Sequence, residues 1–244
     1  MFFQRPDGSY ASSLLEGLGW LRHGFGTRRL PAGLEVRPVA LLRQVHSARV
    51  LAVEEAGGCV GEGDALITRT PGQYLGVRTA DCLPVLLAAP DAGAVAAVHA
   101  GWRGAAAGIL ARTVERLGRE WAAEPAKLVA AVGPGIGPCC YEVGPEVARL
   151  FPASAQRRTA GGRALLNLWE ASRLELAQAG VPETQIDVAR VCTCCRIDEF
   201  YSYRGNRSEA GRMRSVIGIV ARGGGRASGG SGEIRRARDL TPAP

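Results

Sequence analysis

Two short apolar runs lie close together in the stretch LPVLLAAPDAGAVAAVHAGWRG, residues 83–104. Their length, and the Gly and Pro residues at which they end, are typical of buried β-strands. A segment with a different period follows, from Ala105 to about Trp121, in which Leu110, Val114 and Leu117 recur at steps of four and three residues. That spacing, with charged residues between, predicts an amphipathic helix directly after the strands.

The same kind of pattern extends along most of the chain. Further apolar runs are predicted strands at residues 41–53, 74–77, 128–132, 186–191 and 216–220. A second helix is predicted to begin after Asn167, a good N-cap residue, and to end at Gly180, since glycine readily adopts the left-handed conformation that closes a helix. Strands interleaved with few helices predict an α/β (α+β) fold, a single layered domain of mixed β-sheet with flanking helices.

The C-terminal segment differs in composition from the rest. Residues 221–244, ARGGGRASGGSGEIRRARDLTPAP, are rich in Gly, Ser and Arg and offer almost no apolar side chain to bury. Ordering them would cost backbone entropy with little return, so we expect a flexible tail. Residues 1–220 contain no repeat and no second linker, and are predicted to form one domain that carries any catalytic site.

Composition argues against several classes of function. The 244 residues contain no run near the roughly 18 apolar residues of a membrane span, and the N-terminus lacks the apolar core of a signal peptide, so we expect a cytoplasmic protein without a membrane partner. The net charge of +7 comes almost entirely from scattered arginines, and aromatic residues make up 6%. A nucleic-acid partner is therefore not expected, since such proteins cluster basic residues and use aromatic side chains for stacking.

The seven cysteines are an odd number and should stay reduced in a chain without a secretory signal. Five of them fall in two groups that resemble a zinc cluster, Cys139 and Cys140 in the first and Cys192, Cys194 and Cys195 in the second. A paired zinc knuckle needs two such pairs of cysteines, each with a two-residue gap, and here only Cys192 and Cys195 have that gap, since Cys139 and Cys140 are adjacent. The spacing therefore favours packed or weakly reactive thiols.

Two histidines and one cysteine occur at or near predicted strand ends, where side chains from different strands can converge: His46, Cys82 and His99. Two imidazoles and a thiolate bind zinc well and leave its fourth position open, as in catalytic zinc sites. The spacing matches no local zinc motif, and burial with hydrogen bonding is the more common fate of such residues. The residues alone leave both interpretations open. The remaining histidine, His23, is expected to orient a loop.

Seven blocks of sequence run in order from about His23 to Val220: HGFGTR (23–28), QVH (44–46), GDALIT (63–68), TADCLPV (79–85), VHAGWRG (98–104), GPGIGPCCYEVG (133–144) and FYSYR (200–204). Together they resemble the YfiH and laccase-domain (multicopper polyphenol oxidase, purine nucleoside phosphorylase) family. The resemblance implies a single YfiH-like domain with zinc held by His46, Cys82 and His99.

The resemblance also implies a purine nucleoside phosphorylase and adenosine deaminase, hence a transferase and hydrolase. Its substrates would be phosphate with adenosine, inosine, guanosine or S-methyl-5′-thioadenosine, and adenosine alone for hydrolytic deamination. We expect a monomer or small homo-oligomer. Cys82, His99 and Asp81 are the predicted catalytic residues, with Asp81 as a proton carrier or as an anchor for the ligand beside it. A structural carboxylate of the turn is an equally open interpretation of Asp81.

A phosphate site is predicted at Arg103, where helix N-terminal amides and a guanidinium can share one anion. The two flanking glycines equally suit a turn that closes against the sheet. Arg28 is the second choice for binding substrate, followed by Arg78.

Two rival enzymes use the same residues. A metal-independent cysteine hydrolase or amidase would take Cys82 as its nucleophile and a histidine as its base. A copper-dependent polyphenol oxidase, as the laccase label suggests, would need many more histidines than the three present. A lone blue-copper centre would need an axial methionine that the sequence does not place near the site. Zinc is therefore preferred to copper.

Overall fold

The computed structural model describes residues 1–33, 38–55, 57–208 and 211–221. The strands within those residues are β1 Phe2–Gln4, β2 Tyr10–Ser12, β3 Leu21–Phe25, β4 Val39–Arg43, β5 Val50–Ala52, β6 Gly58–Glu62, β7 Ala65–Thr68, β8 Tyr74–Thr79, β9 Leu83–Ala89, β10 Ala94–Ala100, β11 Val129–Val132, β12 Glu142–Val143, β13 Gln156–Arg158, β14 Ala164–Leu166, β15 Ile186–Val188 and β16 Met213–Ile219. The helices are α1 Ser13–Glu16, α2 Trp102–Ala106, α3 Ile109–Trp121, α4 Pro145–Ala148 and α5 Leu168–Gln178, with 3-10 turns at Pro125–Lys127, Ala153–Ala155 and Glu183–Gln185.

The strands form three sheets. A seven-stranded sheet has the order β1-β2-β3-β16-β8-β4-β6, a six-stranded sheet has the order β15-β11-β9-β10-β7-β5, and a small sheet has the order β12-β14-β13. The two large sheets mix parallel and antiparallel neighbours. The predicted α+β class is therefore confirmed, with several sheets in place of one.

The six-stranded sheet lies between the seven-stranded sheet and the helices α3 and α5. In β9, Leu83, Val85 and Leu87 pack into the cluster that contains α3 and α5, while Leu86 packs into the cluster shared with the seven-stranded sheet. Successive side chains of a strand point to opposite faces, so a strand buried on both faces needs an unbroken apolar run. Each fully buried leucine contributes about 1.5–3 kcal/mol, and this burial fixes the strands that carry the site.

The structure corrects two predicted elements. The run at residues 41–53 is two strands, β4 and β5, separated by a loop. The amphipathic helix predicted from Ala105 is broken: α2 ends at Ala106, Gly108 adopts a left-handed φ of 77°, and α3 begins at Ile109. The second helix is confirmed, since the Asn167 side chain accepts a hydrogen bond from the Glu170 amide at 3.1 Å.

The predicted tail, residues 221–244, lies outside the described residues except for Ala221. Among the described helices, none combines the length and apolar character that a membrane crossing requires.

Candidate functional site

Three separate elements bring His46, Cys82 and His99 together. His46 lies in the loop between β4 and β5, Cys82 lies in the turn between β8 and β9, and His99 is the penultimate residue of β10. The antiparallel register pairs His99 with Pro84, which places the turn of Cys82 beside the end of β10. The residues that the sequence proposed as a set therefore meet at one end of the sheets.

The spacing of the three side chains suits a tetrahedral metal ion. The Sγ atom of Cys82 lies 3.9 Å from Nε2 of His46, and one ligand atom from each of the three residues falls within 4.8 Å of the others. Zinc bonds of about 2.0–2.3 Å place tetrahedral ligand atoms about 3.3–3.8 Å apart, so binding requires only a small contraction. His99 is buried and His46 is exposed, which leaves one side of the trio open to the cavity.

The backbone around the trio is unusual for its residue types. His46 and Asp81, which precedes Cys82, have left-handed φ values of 59° and 81°. Non-glycine residues adopt such values rarely, and they concentrate at functional sites where the surrounding structure holds them. Gly101 packs directly on the ligands: a Cβ atom there would lie 2.9 Å from Sγ of Cys82 and 3.0 Å from Cδ2 of His46.

Asp64 is the residue that sequence reasoning missed. Its carboxylate is fully buried and accepts hydrogen bonds from Nδ1 of His99 at 2.8 Å, the His46 amide at 3.0 Å, and both the amide and hydroxyl of Ser47 at 2.6 and 2.7 Å. It fixes the His99 ring with Nε2 directed away from the carboxylate, the arrangement of carboxylate–histidine–metal sites. The available signal was an aspartate in GDALIT, directly before the apolar run of β7.

Charge interactions within the trio are strong. Burial opposes the thiolate of Cys82, but hydrogen bonds with His46 and His99 outweigh it and lower the pKa of Cys82 to about 6. Burial likewise opposes a charged His99, but Asp64 and Cys82 outweigh it and raise the pKa of His99 to about 9. Burial would raise the pKa of Asp64, yet its bonds to His99 and Ser47 lower it to about 2. These interactions favour a thiolate on Cys82 beside a protonated His99.

Asp81 occupies both of its carboxylate oxygens in joining loops. Oδ1 accepts from the Thr193 hydroxyl at 2.8 Å, and Oδ2 accepts from the Arg204 amide at 2.7 Å. The side chain is buried at the edge of the cavity. Neither bond reaches a side chain of the trio, so of the three interpretations this geometry favours a structural carboxylate of the turn.

The trio opens into a cavity of about 710 Å³, a size typical of small-molecule sites. Its lining is strongly basic, with Asp81 as the single acid among the described lining residues. The arginines that line it are Arg43, Arg78, Arg103, Arg204, Arg207 and Arg212. Tyr141 lines the same cavity, and burial, followed by the nearby Cys82, raises its pKa to about 12.

The structure changes the expected surroundings of Arg103. The guanidinium stacks over the Trp102 ring at 4.3 Å and lines the cavity, but it lies in the five-residue α2 rather than at the start of the long helix. The first amides of the long helix α3, those of Leu110 and Ala111, donate to Oε1 of Glu175 at 2.8 and 2.9 Å. Glu175 thus occupies the amides at the start of α3, while a phosphate site at Arg103 and the amides at the start of α2 stays a prediction.

Arg28 is not brought to the cavity. Its Nε and Nη2 atoms donate to the carbonyl of Ile197 at 2.9 and 2.6 Å, and its guanidinium stacks over Tyr201 at 4.7 Å. The structure therefore gives Arg28 a role in joining loops. Arg78, the third choice, does line the cavity.

His23 lies apart from the trio. It is buried in β3, and its Nε2 accepts a hydrogen bond from the Ser12 amide at 3.0 Å. Burial, followed by repulsion from Arg5, lowers the pKa of His23 to about 3, so the ring is neutral. This histidine holds two neighbouring strands together.

Residues 27–220 match the family described as multi-copper polyphenol oxidoreductase laccase. The chain belongs to this family. The resemblance found in the sequence blocks is thereby confirmed for most of the chain. Within the laccase-domain family, the chain is similar to a purine nucleoside phosphorylase of Deinococcus radiodurans, with 42% identity over 195 residues that cover 79% of this chain and 74% of that protein.

Other relatives carry related names. A purine nucleoside phosphorylase of Bacteroides thetaiotaomicron is 42% identical over 163 residues, which cover 64% of this chain and 60% of that protein's length. A protein named adenosine deaminase RL5, from an unknown prokaryotic organism, is 36% identical over 207 residues, covering 78% of this chain and 79% of that protein. The crystal structure of YlmD from Geobacillus stearothermophilus aligns with a TM-score of 0.81 and 29% identity, covering 90% of this chain and 98% of YlmD.

Proposed function

We propose that this laccase-domain chain is a cytoplasmic, zinc-dependent purine nucleoside enzyme. It would catalyse phosphorolysis of adenosine, inosine, guanosine and S-methyl-5′-thioadenosine, and hydrolytic deamination of adenosine. The observation that carries the proposal is the convergence of His46, Cys82 and His99 at a cavity lined by six arginines. The names of the relatives supply the substrate class.

The donor set fits zinc better than copper. Two imidazole nitrogens and one thiolate are three protein ligands with room for a fourth, which is the pattern of catalytic zinc. A blue-copper site adds an axial methionine. Met213 is buried in β16, and its sulfur accepts a hydrogen bond from the Tyr201 amide at 3.1 Å. This methionine therefore lies in a different part of the core from the trio. A bound zinc ion would supply Lewis acidity at the open position.

The arginines would bind the phosphate that phosphorolysis consumes. In that reaction a phosphate oxygen forms a bond to C1′ of the ribose, the C1′–N9 bond breaks, and the purine leaves with a proton. Guanidinium groups recognise phosphate through charge-assisted hydrogen bonds. Arg103 stacks on Trp102 and Arg204 stacks on Tyr141 at 5.4 Å, so both guanidinium planes are held in place at the wall of the cavity.

Tyr141 is the candidate proton donor for the leaving purine. Its side chain lines the cavity, and with its pKa raised to about 12 the phenol is protonated at neutral pH. Deamination places a different demand on the same cavity, since water adds at C6 of adenosine and ammonia leaves. Asp64 and Asp81 act indirectly in both reactions, because they hold His99 and the turn of Cys82 in position.

The test is an adenosine assay with and without phosphate on the unmodified chain and on Cys82→Ala. The proposal expects adenine and ribose 1-phosphate only when phosphate is present, inosine and ammonia in its absence, and loss of both activities in the variant. Retention of both activities by Cys82→Ala would contradict it.

The lowered pKa of Cys82 beside a protonated His99 also suits a thiol nucleophile, so the cysteine hydrolase remains the second candidate. A zinc chelator and iodoacetamide separate the two. The zinc enzyme loses activity on chelation and regains it with added zinc. A thiol hydrolase survives the chelator and is inactivated by alkylation.

A further inference from the structure

A second group of sulfur atoms converges outside the arginine-lined cavity. The Sγ atoms of Cys139, Cys140, Cys192 and Cys195 all lie within 4.8 Å of one another. Cys195 is central, since its Sγ lies 3.4 Å from Sγ of Cys139 and 3.4 Å from Sγ of Cys140. Two loops more than fifty residues apart in sequence therefore supply one cluster of four thiols.

The separations match those of a tetrahedral thiolate site. Zinc–sulfur bonds of about 2.3 Å place the four sulfurs of a tetrahedral site about 3.8 Å apart. The Sγ atoms of Cys139 and Cys140 lie 3.4 Å from Sγ of Cys195, and all four Sγ atoms lie within 4.8 Å of one another, so the Sγ–Sγ distances bracket that value. The adjacent positions of Cys139 and Cys140 do not prevent this, because both sulfurs reach Cys195. Cys192 and Cys195 have the two-residue gap of a zinc knuckle, whereas Cys139 and Cys140 are brought to them by tertiary structure.

Core packing does not account for the cluster. Free cysteine is among the most buried residue types, because its side chain behaves as a small apolar group. Here Cys139 and Cys195 are exposed, Cys140 is half-buried, and Cys192 alone of the four is buried. Cys192 belongs to the core and Cys140 packs against it, but core packing does not explain why the exposed thiols of Cys139 and Cys195 meet them.

The backbone holds the two loops in register. The Thr193 amide donates to the carbonyl of Gly135 at 3.1 Å, and the Gly135 amide donates to the carbonyl of Val191 at 3.2 Å. The Gly137 amide also donates to Sγ of Cys192 at 3.2 Å. Amide–sulfur hydrogen bonds of this kind surround metal-bound thiolates and stabilise their charge.

We propose that Cys139, Cys140, Cys192 and Cys195 bind a zinc ion at a structural site separate from the His46–Cys82–His99 trio. All four zinc ligands come from the protein, so the site has no open position and no catalytic role. Binding forms four zinc–sulfur bonds and releases the four thiol protons to solvent.

The site would stabilise the turn that carries Cys82. Thr193, next to Cys192, donates its hydroxyl to Asp81, and the amide of Ile136 donates to the Asp81 carbonyl at 2.8 Å. Both cysteine-bearing loops thus hold the residue that precedes Cys82. A zinc ion between them would restrain that turn from outside the cavity.

The experiment uses the full-length Cys82→Ala chain, in which the trio has lost its sulfur ligand, with all other thiols kept reduced. Elemental analysis after dialysis is expected to find about one zinc per chain. Cobalt added to the metal-free form is expected to give the intense visible bands of tetrahedral cobalt bound by thiolates. Adding Cys140→Ser and Cys195→Ser should abolish both signals, whereas Cys59→Ser, an exposed cysteine outside both clusters, should leave them unchanged.

The cobalt titration of Cys82→Ala needs no change in the cluster, so it decides the matter even where the cluster variant fails to fold. Absence of thiolate–cobalt bands in reduced Cys82→Ala overturns the proposal. A disulfide among the four cysteines, found by peptide mapping of protein kept under reductant throughout, also overturns it. Neither outcome bears on nucleoside turnover by the unmodified chain, so this proposal and the proposed function fail separately.

Discussion

Replacing Asp64 with asparagine tests how the protein holds His99. Asparagine has nearly the same shape but exchanges one acceptor oxygen for an NH2 group. One side of the carboxylate accepts from His99 and the His46 amide, and the other side accepts from Ser47. In either orientation of the asparagine side chain, its NH2 group faces a backbone N–H donor, of His46 or of Ser47, whose direction is fixed by the backbone. One hydrogen bond is therefore replaced by a contact between two donors.

Loss of a partner that orients a metal-bound histidine typically weakens metal affinity by about 10–100-fold, or about 1.4–2.8 kcal/mol. A single hydrogen bond to a charged group is worth about 1.5–3 kcal/mol, which agrees with that range. We therefore expect Asp64→Asn to bind zinc at the trio about 10–100-fold more weakly. Competition with a chromophoric chelator measures the Kd, at a temperature well below the unfolding midpoint of both forms.

The control is Asp91→Asn, an exposed aspartate whose carboxylate also accepts two backbone amides, from Ala92 and Glu124, each at 3.0 Å. It should leave the zinc Kd unchanged. An Asp64→Asn chain with unaltered zinc affinity would refute the view that the buried carboxylate prepares His99 for the metal.

Three further predictions follow from the same geometry. Gly101→Ala is expected to weaken zinc binding, because the added Cβ would lie 2.9 Å from Sγ of Cys82. The chain should still fold, since the backbone φ of −77° at this position suits alanine. Elemental analysis of bound zinc checks this, with Gly19→Ala as the control because a Cβ there would have no atom within 4 Å. Arg103→Ala is expected to raise the KM for phosphate about tenfold or more, since one charge-assisted hydrogen bond is worth about 1.5–3 kcal/mol. The kcat of deamination, which uses no phosphate, should stay unchanged. An equal loss in both reactions would argue against a role of Arg103 in binding phosphate. Burial raises the pKa of Glu175 from 4.5 to about 7, so the folded state binds the carboxyl proton more tightly than the unfolded state does. The free energy of unfolding should therefore fall as the pH rises from about 4.5 to about 7. Urea unfolding across that range should show the contribution in the unmodified chain and its absence in Glu175→Gln.

The parts of the fold that could be predicted are those in which one local pattern decides the outcome. β9 and β10 are buried on both faces, so their sequences are apolar except for His99 near the end of β10. The second helix has Asn167 at its N-cap and Gly180 after its end. Local chemistry alone specifies these elements.

The errors arise where tertiary contacts decide. The helix predicted from Ala105 is interrupted at Gly108, and the start of α3 beyond it donates to Glu175, 65 residues away from Leu110. Nothing near Arg28 in the sequence indicates that its guanidinium binds a carbonyl 169 residues further on. The role of Asp64 likewise depends on a histidine 35 residues away. Long-range pairing of this kind leaves no short periodic signal in a single sequence.

The central claim is that zinc bound by His46, Cys82 and His99 is needed for nucleoside turnover. The most direct measurement is elemental analysis of the purified chain and of Cys82→Ala, combined with adenosine assays of the same samples with and without phosphate. The account predicts that the variant holds about one zinc ion fewer per chain and loses both phosphorolysis and deamination. A stable, metal-free wild-type chain that leaves adenosine unchanged, and that loses an amidase activity to iodoacetamide, would contradict it.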